Sequence, residues 1–181
     1  MARNQEKKLG SSALNAARIN TLFFLAGASA IATQMYCVRE LLVVFFGNEL
    51  FLGILFGCWF AGISAGSWCA TRIVRHPAAR AALAAGLLLL GILPTVALVA
   101  ARLLRYVVPV PVGGCASLAH MAAGSLLVAF PPACAVGLLF PLACSVLPAD
   151  GPQAGEGIAR VYMWESLGSL AGGLIVSFIA V

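Results

Sequence analysis

Hydrophobic residues run along this chain in long blocks, separated by short polar stretches. Each block holds about 20 or more mostly apolar residues, which is the length needed to cross a bilayer core of about 30 Å. The blocks cover residues 21–46, 50–74, 78–101, 113–147 and 158–181. This pattern predicts an all-α, polytopic membrane helix bundle of about five transmembrane helices. We expect one transmembrane domain over residues 21–181, preceded by a basic tail over residues 1–20.

The fourth block carries prolines where a straight helix would need backbone donors. Because proline lacks an amide hydrogen and crowds the preceding turn, we predict a helix kinked or broken at Pro131-Pro132, with a further bend at Pro141. Carbonyl groups freed at membrane depth must be buried in protein or line a cavity. Two questions stay open: whether the prolines serve packing or a ligand site, and whether the block crosses once or twice.

The distribution of Lys and Arg predicts the orientation. The tail and the segment between blocks two and three are basic, whereas the short segment with Asn48 and Glu49 has no Lys or Arg. Basic residues concentrate on the cytoplasmic side of a membrane. We therefore predict a multi-pass protein of the cell (inner) membrane with a cytoplasmic N-terminus. Arg102 and Arg105 then fall on the outer side, against the rule.

Composition excludes several classes of protein. The chain is 62% apolar and 9% charged, whereas soluble domains are about a quarter charged. Most of the basic residues behind the net charge of +5 flank the blocks, so we do not expect a nucleic-acid partner. The six cysteines form no CxxC pair and lie mostly in apolar runs, where cysteine acts as a small hydrophobic residue. No cofactor or metal site is expected.

Small residues recur at helical spacing in blocks two and five. Such spacing lets two helix backbones approach closely, and van der Waals contact then drives association. In block two a stripe of small residues recurs every fourth position, at Gly53, Gly57, Ala61 and Ala65, and Gly62 and Gly66 lie beside it. The predicted helix-packing residues are Gly53, Gly57, Gly62, Gly66, Gly168 and Gly172.

Polar and charged residues inside the blocks are the candidates for function. A lone charge in hydrocarbon costs about 3 kcal/mol, so these side chains should face the bundle and find partners. The candidate intramembrane polar or ligand site comprises Gln34, Tyr36, Arg39, Glu40, Asn48, Glu49, Tyr162 and Glu165. No residue is assigned a catalytic role.

The partners of these charges follow from helical spacing and the predicted orientation. Tyr36 lies three and four residues before Arg39 and Glu40, so the three share one side of a helix. We expect a local cluster of these three, or Arg39 paired with Glu49. We expect Glu165 of block five to contact Gln34 or the basic segment around Arg72. Such charges either form ion pairs that fix helix register or line a pathway for a substrate or ion.

Several of these motifs, taken in order, resemble a known family. The runs QMYCVRELLVVFFGNELFLGILFGCWFAGISAGS, PPACAVGLLFPL and GIARVYMWESLGSLAGGL are similar to the membrane region of spermidine synthase-like polytopic proteins. The matching features are Arg39-Glu40, Gly47-Asn48-Glu49, Gly62 through Ser67, Pro132–Gly137–Pro141 and Arg160–Tyr162–Glu165–Gly168. The resemblance implies helices that precede a soluble domain with the aminopropyltransferase fold.

The enzymatic half of that family has no counterpart in these residues. We find no glycine-rich loop after a strand and no acidic pair on a soluble loop. The last block ends without a polar flank, so we expect the natural protein to continue beyond Val181.

Three functions are consistent with the sequence. The leading hypothesis is a non-catalytic membrane domain that anchors or serves an aminopropyltransferase-like soluble domain, with the lipid bilayer as its other partner. The first alternative is a transporter-like module for a small charged solute. It draws on a fainter similarity to major facilitator transporters, whose loop after helix two resembles Gly62, Gly66, Arg72 and Arg75. The second alternative is a structural membrane subunit.

Overall fold

Five long helices make up the described part of the chain. The structure, a computed structural model, describes residues 2–107, 116–146 and 152–179. Its helices are α1 (Ala2–Val44), α2 (Glu49–Ile73), α3 (Ala79–Val107), α4 (Leu118–Val146) and α5 (Pro152–Ile179). Each contains a stretch of at least 25 residues that is long and apolar enough to cross a membrane. The prediction of an all-α, multi-pass membrane bundle is confirmed.

The helix boundaries follow the hydrophobic blocks, and α1, α3 and α5 extend beyond them. α1 begins at Ala2, so residues of the predicted tail continue the first helix, whose membrane-spanning part begins at Ala17. The side chains of residues 1–16 lie outside the described part of the chain, and so do residues 108–115 and 180–181, where the fourth block was expected to begin and the fifth to end.

α4 is one continuous helix that contains all three prolines. Of the two predicted alternatives at Pro131-Pro132, the structure does not have a break. One reason is visible at Pro141, which has no amide hydrogen to donate to the Gly137 carbonyl one turn earlier. The Ser67 hydroxyl of α2 donates to that carbonyl instead, at 3.0 Å. A neighbouring helix thus satisfies the group that proline leaves free, as membrane helices commonly require.

α2 and α4 pack side by side through small residues. A Cβ at Gly66 would meet the Cys134 carbonyl, and one at Gly137 would meet the Ile63 carbonyl. Gly62 lies against Ala133. Gly62 also lies against the Phe130 carbonyl, so a step of four residues from Gly62 to Gly66 corresponds to a step of four from Phe130 to Cys134, and α2 and α4 run parallel. The fourth block therefore crosses the membrane once.

α1 and α5 form a second close pair, built in the same way. A Cβ at Gly168 would meet the Phe24 carbonyl, and one at Gly172 would meet Ala28. The approach is mutual, since Gly27 of α1 lies against the Glu165 carbonyl. These helices are also parallel, as first and fifth crossings must be when each helix crosses once.

The other small-residue stripe of α2 faces away from the bundle. A Cβ added at Gly53 or Gly57 would have no neighbour within 4 Å, and Ala61 is exposed. The packing predicted for Gly53 and Gly57 is therefore not found within the described chain. Helical spacing identifies both stripes but does not say which of them meets α4.

The turn between α1 and α2 uses the Gly47-Asn48-Glu49 motif. The Gly47 amide donates to the Leu42 carbonyl at 2.9 Å, across a left-handed Phe46 with φ 55°, which is the Schellman way to end a helix. The Asn48 side chain then accepts from the Leu50 amide at 3.0 Å and caps α2. We call this side of the bundle the Asn48 end and the side with the α2–α3 turn the His76 end.

The helices surround a core that lies mainly towards the Asn48 end. α3 packs against both α1 and α4, α2 packs against α4, and α5 packs against α1. The largest buried cluster joins four helices and includes Leu41, Phe45, Phe51, Leu55 and Trp59. In the described chain α2 and α5 are not packed on each other. A cleft therefore opens between them on the side of α4.

Candidate functional site

Glu165 lies deep in the membrane-spanning part of α5. It is ten residues from Gly155, where the span begins, and fourteen from Ile179, where it ends. At 1.5 Å per residue these separations are about 15 and 21 Å, in a hydrocarbon core about 30 Å thick. The carboxyl group is therefore near the middle of the membrane, where an ionisable side chain is costly and is a candidate for function.

The carboxyl group of Glu165 opens onto the cleft between α2, α4 and α5. The cleft has a volume of about 550 Å³, within the range of small-molecule sites. Its lining residues come from all three helices: Ile63, Ser67, Val136, Gly137, Phe140, Tyr162, Glu165, Ser166 and Ser169. The α5 members are spaced by three and four residues, so they share one face of that helix.

Two serines of the cleft donate their hydroxyl groups to backbone carbonyls of neighbouring helices. Ser67 donates to the Gly137 carbonyl of α4 at 3.0 Å, and Ser169 donates to the Gly27 carbonyl of α1 at 3.3 Å. The Glu165 carboxylate has no hydrogen bond or ion pair with any residue that the structure describes. Its oxygens are thus available to a solute that enters the cleft.

Two aromatic rings line the same cleft as this carboxylate. Phe140 and Tyr162 meet edge to face, with ring centroids 6.5 Å apart and planes at 83°. Tyr162 is 64% exposed, so its ring borders the open side of the cleft. A carboxylate beside two aromatic rings suits a small organic cation, which would gain both ion pairing and cation–π attraction.

A second set of charges lies near the Asn48 end, and its pairing differs from the expected one. Arg102 Nη2 of α3 lies 3.3 Å from Glu40 Oε1 of α1. We expected Glu40 to pair with Arg39 and Tyr36 on its own helix; the geometry corrects this, because α3 packs against α1 and brings Arg102 within reach. The sequence offered one signal for this partner, since Arg102 stood against the positive-inside rule.

The remaining candidates fall in separate places. Asn48 and Glu49 form the cap and first turn of α2, and there they serve helix initiation. Gln34, Tyr36 and Arg39 line a groove on the other side of α1, where it meets α5. The eight candidates therefore divide among at least three regions, and only Tyr162 and Glu165 share the cleft.

The expected partners of Glu165 lie elsewhere. α1 and α5 are in register at Gly27 and Glu165, so Gln34 lies about 10 Å further along the helix axis. The Arg72 guanidinium is over the Trp68 ring, 4.0 Å from its centroid. The two expected contacts of Glu165 are therefore wrong: the helix register places Gln34 too far along the axis, and Arg72 stacks on Trp68 instead.

Sequence reasoning missed Ser67 and Phe140 as lining residues, whereas Ser169 follows Tyr162 and Glu165 along the polar stripe of α5 that the sequence shows. Ser67 ends the Gly62–Ser67 motif, so it carried a weak signal. Phe140 had none, because a phenylalanine in an apolar helix is ordinary.

Two further observations bear on the site. Within residues 2–107, 116–146 and 152–179, no group of three or more His, Cys, Asp or Glu side chains could hold a metal ion. Comparison of the chain with protein-family models, with curated proteins and with solved structures finds no match.

Proposed function

We propose that this chain is the membrane domain of a spermidine synthase-like protein and that its Glu165 cleft binds a small organic cation. The single observation that carries the proposal is the carboxylate near the membrane centre, without a protein partner among the described residues, facing a cleft with aromatic walls. An acid kept in this position is costly unless a cation compensates it.

The positions of the resembling motifs support the same proposal. Three motifs that are far apart in the sequence border one cleft: Gly62–Ser67 on α2, Pro132–Pro141 on α4 and Tyr162–Gly168 on α5. Their glycines let the helices approach, and Ser67, Phe140 and Glu165 line the space that results. One cation site would account for all three motifs together, whereas general packing needs no acid.

In this proposal the His76 end is cytoplasmic and the membrane is the cell membrane. The side near the α2–α3 turn holds Arg18, Arg72, Arg75, Arg80 and Arg160, by their positions along the chain, which agrees with the positive-inside rule. The domain would anchor a soluble aminopropyltransferase-like domain and exchange an amine with it through the cleft.

A transport module is the second candidate, and one observation favours it. The cleft lies between two tightly packed helix pairs, α1 with α5 and α2 with α4, and α5 has few contacts with α4. Two such pairs could rock about a central site, as the repeats of many transporters do. In that case the amine would cross the bilayer instead of being passed to another domain.

The test is amine binding by the purified full chain, with Glu165→Gln as the variant. The glutamine keeps the size and hydrogen-bonding capacity but removes the charge. We expect binding of radiolabelled putrescine or spermidine to weaken at least about tenfold, because a charge-assisted hydrogen bond contributes about 1.5–3 kcal/mol. Glu156→Gln is the matched control, since Glu156 is an exposed acid on the same helix and outside the cleft.

The outcomes separate the candidates. Equal binding by both variants, or no binding by the unaltered chain, would refute the cation site. Uptake of the amine into proteoliposomes, lost in Glu165→Gln and kept in Glu156→Gln, would establish transport. Binding without uptake would favour the domain that serves a soluble partner.

A further inference from the structure

A long apolar groove runs along the outer surface of α1, away from the Glu165 cleft. It has a volume of about 770 Å³ and lies between α1 and α5, with Phe56 of α2 at one border. Along α1 it extends from Ile31 to Val43, and its α5 wall includes Gly173 and Val176. Neither the cleft nor the amine site accounts for this groove.

The groove matches the depth of one membrane leaflet. Twelve residues separate its two ends along α1, which is about 18 Å of helix. Half of a hydrocarbon core is about 15 Å. Ile31 is near the middle of the Ala17–Val44 span, and Val43 is at its Asn48 end. The groove therefore runs from the membrane centre to the interface on the Asn48 side.

A cationic cavity adjoins the interfacial end of the groove. This second space, about 400 Å³, is lined by Glu40, Arg102, Arg105 and Tyr106 together with Arg39 and Val43. Arg39 and Val43 also line the groove, so the two spaces meet at these residues.

The charge in this cavity is unbalanced. Glu40 is paired with Arg102 at 3.3 Å, and in the part of the chain that the structure describes neither Arg39 nor Arg105 has a carboxylate partner. Two positive charges are thus left over at the end of an apolar groove. Charge complementarity calls for an occupant with an anionic head and a hydrocarbon chain.

We propose that these two spaces form one binding site for an anionic lipid of the leaflet at the Asn48 end. Its phosphate lies between Arg39 and Arg105, and one acyl chain fills the groove between α1 and α5. Arg102 stays paired with Glu40 in the wall of the cavity. A transmembrane helix in the same groove would cover its apolar walls but leave Arg39 and Arg105 without an anion at the membrane interface. The lipid satisfies both parts.

The site is independent of the proposed amine function and has its own test. The full chain is purified in detergent and stripped of lipid, and its Tm and retained lipid are measured with phosphatidylglycerol, with phosphatidylcholine of the same chains, and with inorganic phosphate. We expect phosphatidylglycerol to raise the Tm most and to be retained in native mass spectra. Each of Arg39→Gln and Arg105→Gln should weaken retention about fivefold. Arg75→Gln, an exposed arginine at the other end, should have no effect.

A second pair of variants tests the groove. Gly173→Phe places a ring into it, where a Cβ has only an ordinary 3.8 Å contact with Ile31, and should abolish retention of phosphatidylglycerol. Gly53→Phe, at an outward glycine with no neighbour within 4 Å, is the matched control and should retain it.

Three results would overturn the proposal. If phosphatidylcholine is retained as well as phosphatidylglycerol, the arginines do not select the lipid. If inorganic phosphate alone raises the Tm as much as phosphatidylglycerol does, the site binds a free anion and not a lipid. Disulfide crosslinking of two copies at Val43→Cys, with no lipid retained, would identify a helix of a second chain as the occupant.

Discussion

Glu40 and Glu165 are two acids on membrane-spanning helices, and their surroundings differ in kind. Glu40 lies four residues from the end of α1 and is paired with Arg102 of the neighbouring α3. Glu165 lies near the middle of α5, and no cation or hydrogen-bond donor among the described residues satisfies it. The paired acid, Glu40, links two helices through its ion pair with Arg102. The unpaired acid is the one for which we propose a ligand.

The comparison also separates the two halves of the bundle. The Glu40–Arg102 link joins α1 and α3 beside the largest buried cluster. The Glu165 cleft lies between helix pairs that are held together by glycine contacts. The first region is built for stability, while the second keeps an open space within the membrane.

The largest effect is expected from closing the glycine contact that shapes the cleft. In Gly66→Leu the new side chain would meet the Cys134 carbonyl, and backbone cannot move aside as a flexible side chain does. We expect a loss of about 3 kcal/mol or more in the free energy of unfolding, together with loss of amine binding. The measurement is an unfolding titration in mixed micelles, with amine binding measured in parallel.

Gly53→Leu is the control for that prediction, since it adds the same side chain to the outward stripe of α2. Its unfolding free energy should change by less than about 0.5 kcal/mol. If both variants unfold alike, the division between the inward and outward stripes is wrong.

A smaller effect, of opposite sign, is expected at the unpaired acid. Glu165→Leu removes a carboxyl group from the membrane interior and should raise the free energy of unfolding by about 2 kcal/mol, somewhat less than the cost of a fully lipid-exposed charge. The physical reason is that the folded chain holds this polar group in the membrane interior without an ion-pair partner among the described residues. The same titration, in the absence of amine, measures the change. A lower stability would mean that Glu165 has a structural partner, and its contrast with Glu40 would then fail.

The smallest effect is expected at the paired acid. The Arg102 side chain is 65% exposed, and exposed ion pairs contribute about 0.2–1 kcal/mol. A double-mutant cycle of Glu40→Gln and Arg102→Gln should give a coupling energy in that range that shrinks as salt is added. A coupling energy near zero would leave the α1–α3 contact to apolar packing alone.

Parts of the candidate site were predictable because they depend on local chemistry. The charge cost of Glu165 in an apolar run and its spacing from Tyr162 identified both residues from sequence. Phe140 and Ser67 could not be found in this way, because their role depends on which face of α4 and α2 turns towards α5. The pairing of Glu40 with Arg102 likewise joins residues 62 positions apart.

The prolines of α4 show the same division. Their lack of an amide hydrogen is a property of the residue, so a distortion was a reasonable prediction from sequence. Whether the helix breaks depends on a neighbour. Ser67 donates to the Gly137 carbonyl that Pro141 leaves free. Because Ser67 belongs to α2, the sequence of α4 alone does not reveal this partner.

The number, length and membrane-spanning character of the helices follow from the amino-acid sequence, because a bilayer admits only long apolar segments whose backbone groups are satisfied internally. The small-residue stripes of α2 and α5 follow from it as well. Which stripe packs, which charges meet and where a cleft remains depend on how the helices come together. Inside a membrane, lipid and neighbouring helices are equally apolar, so the hydrophobic pattern does not choose the contacting face. Shape and hydrogen bonding between helices make that choice.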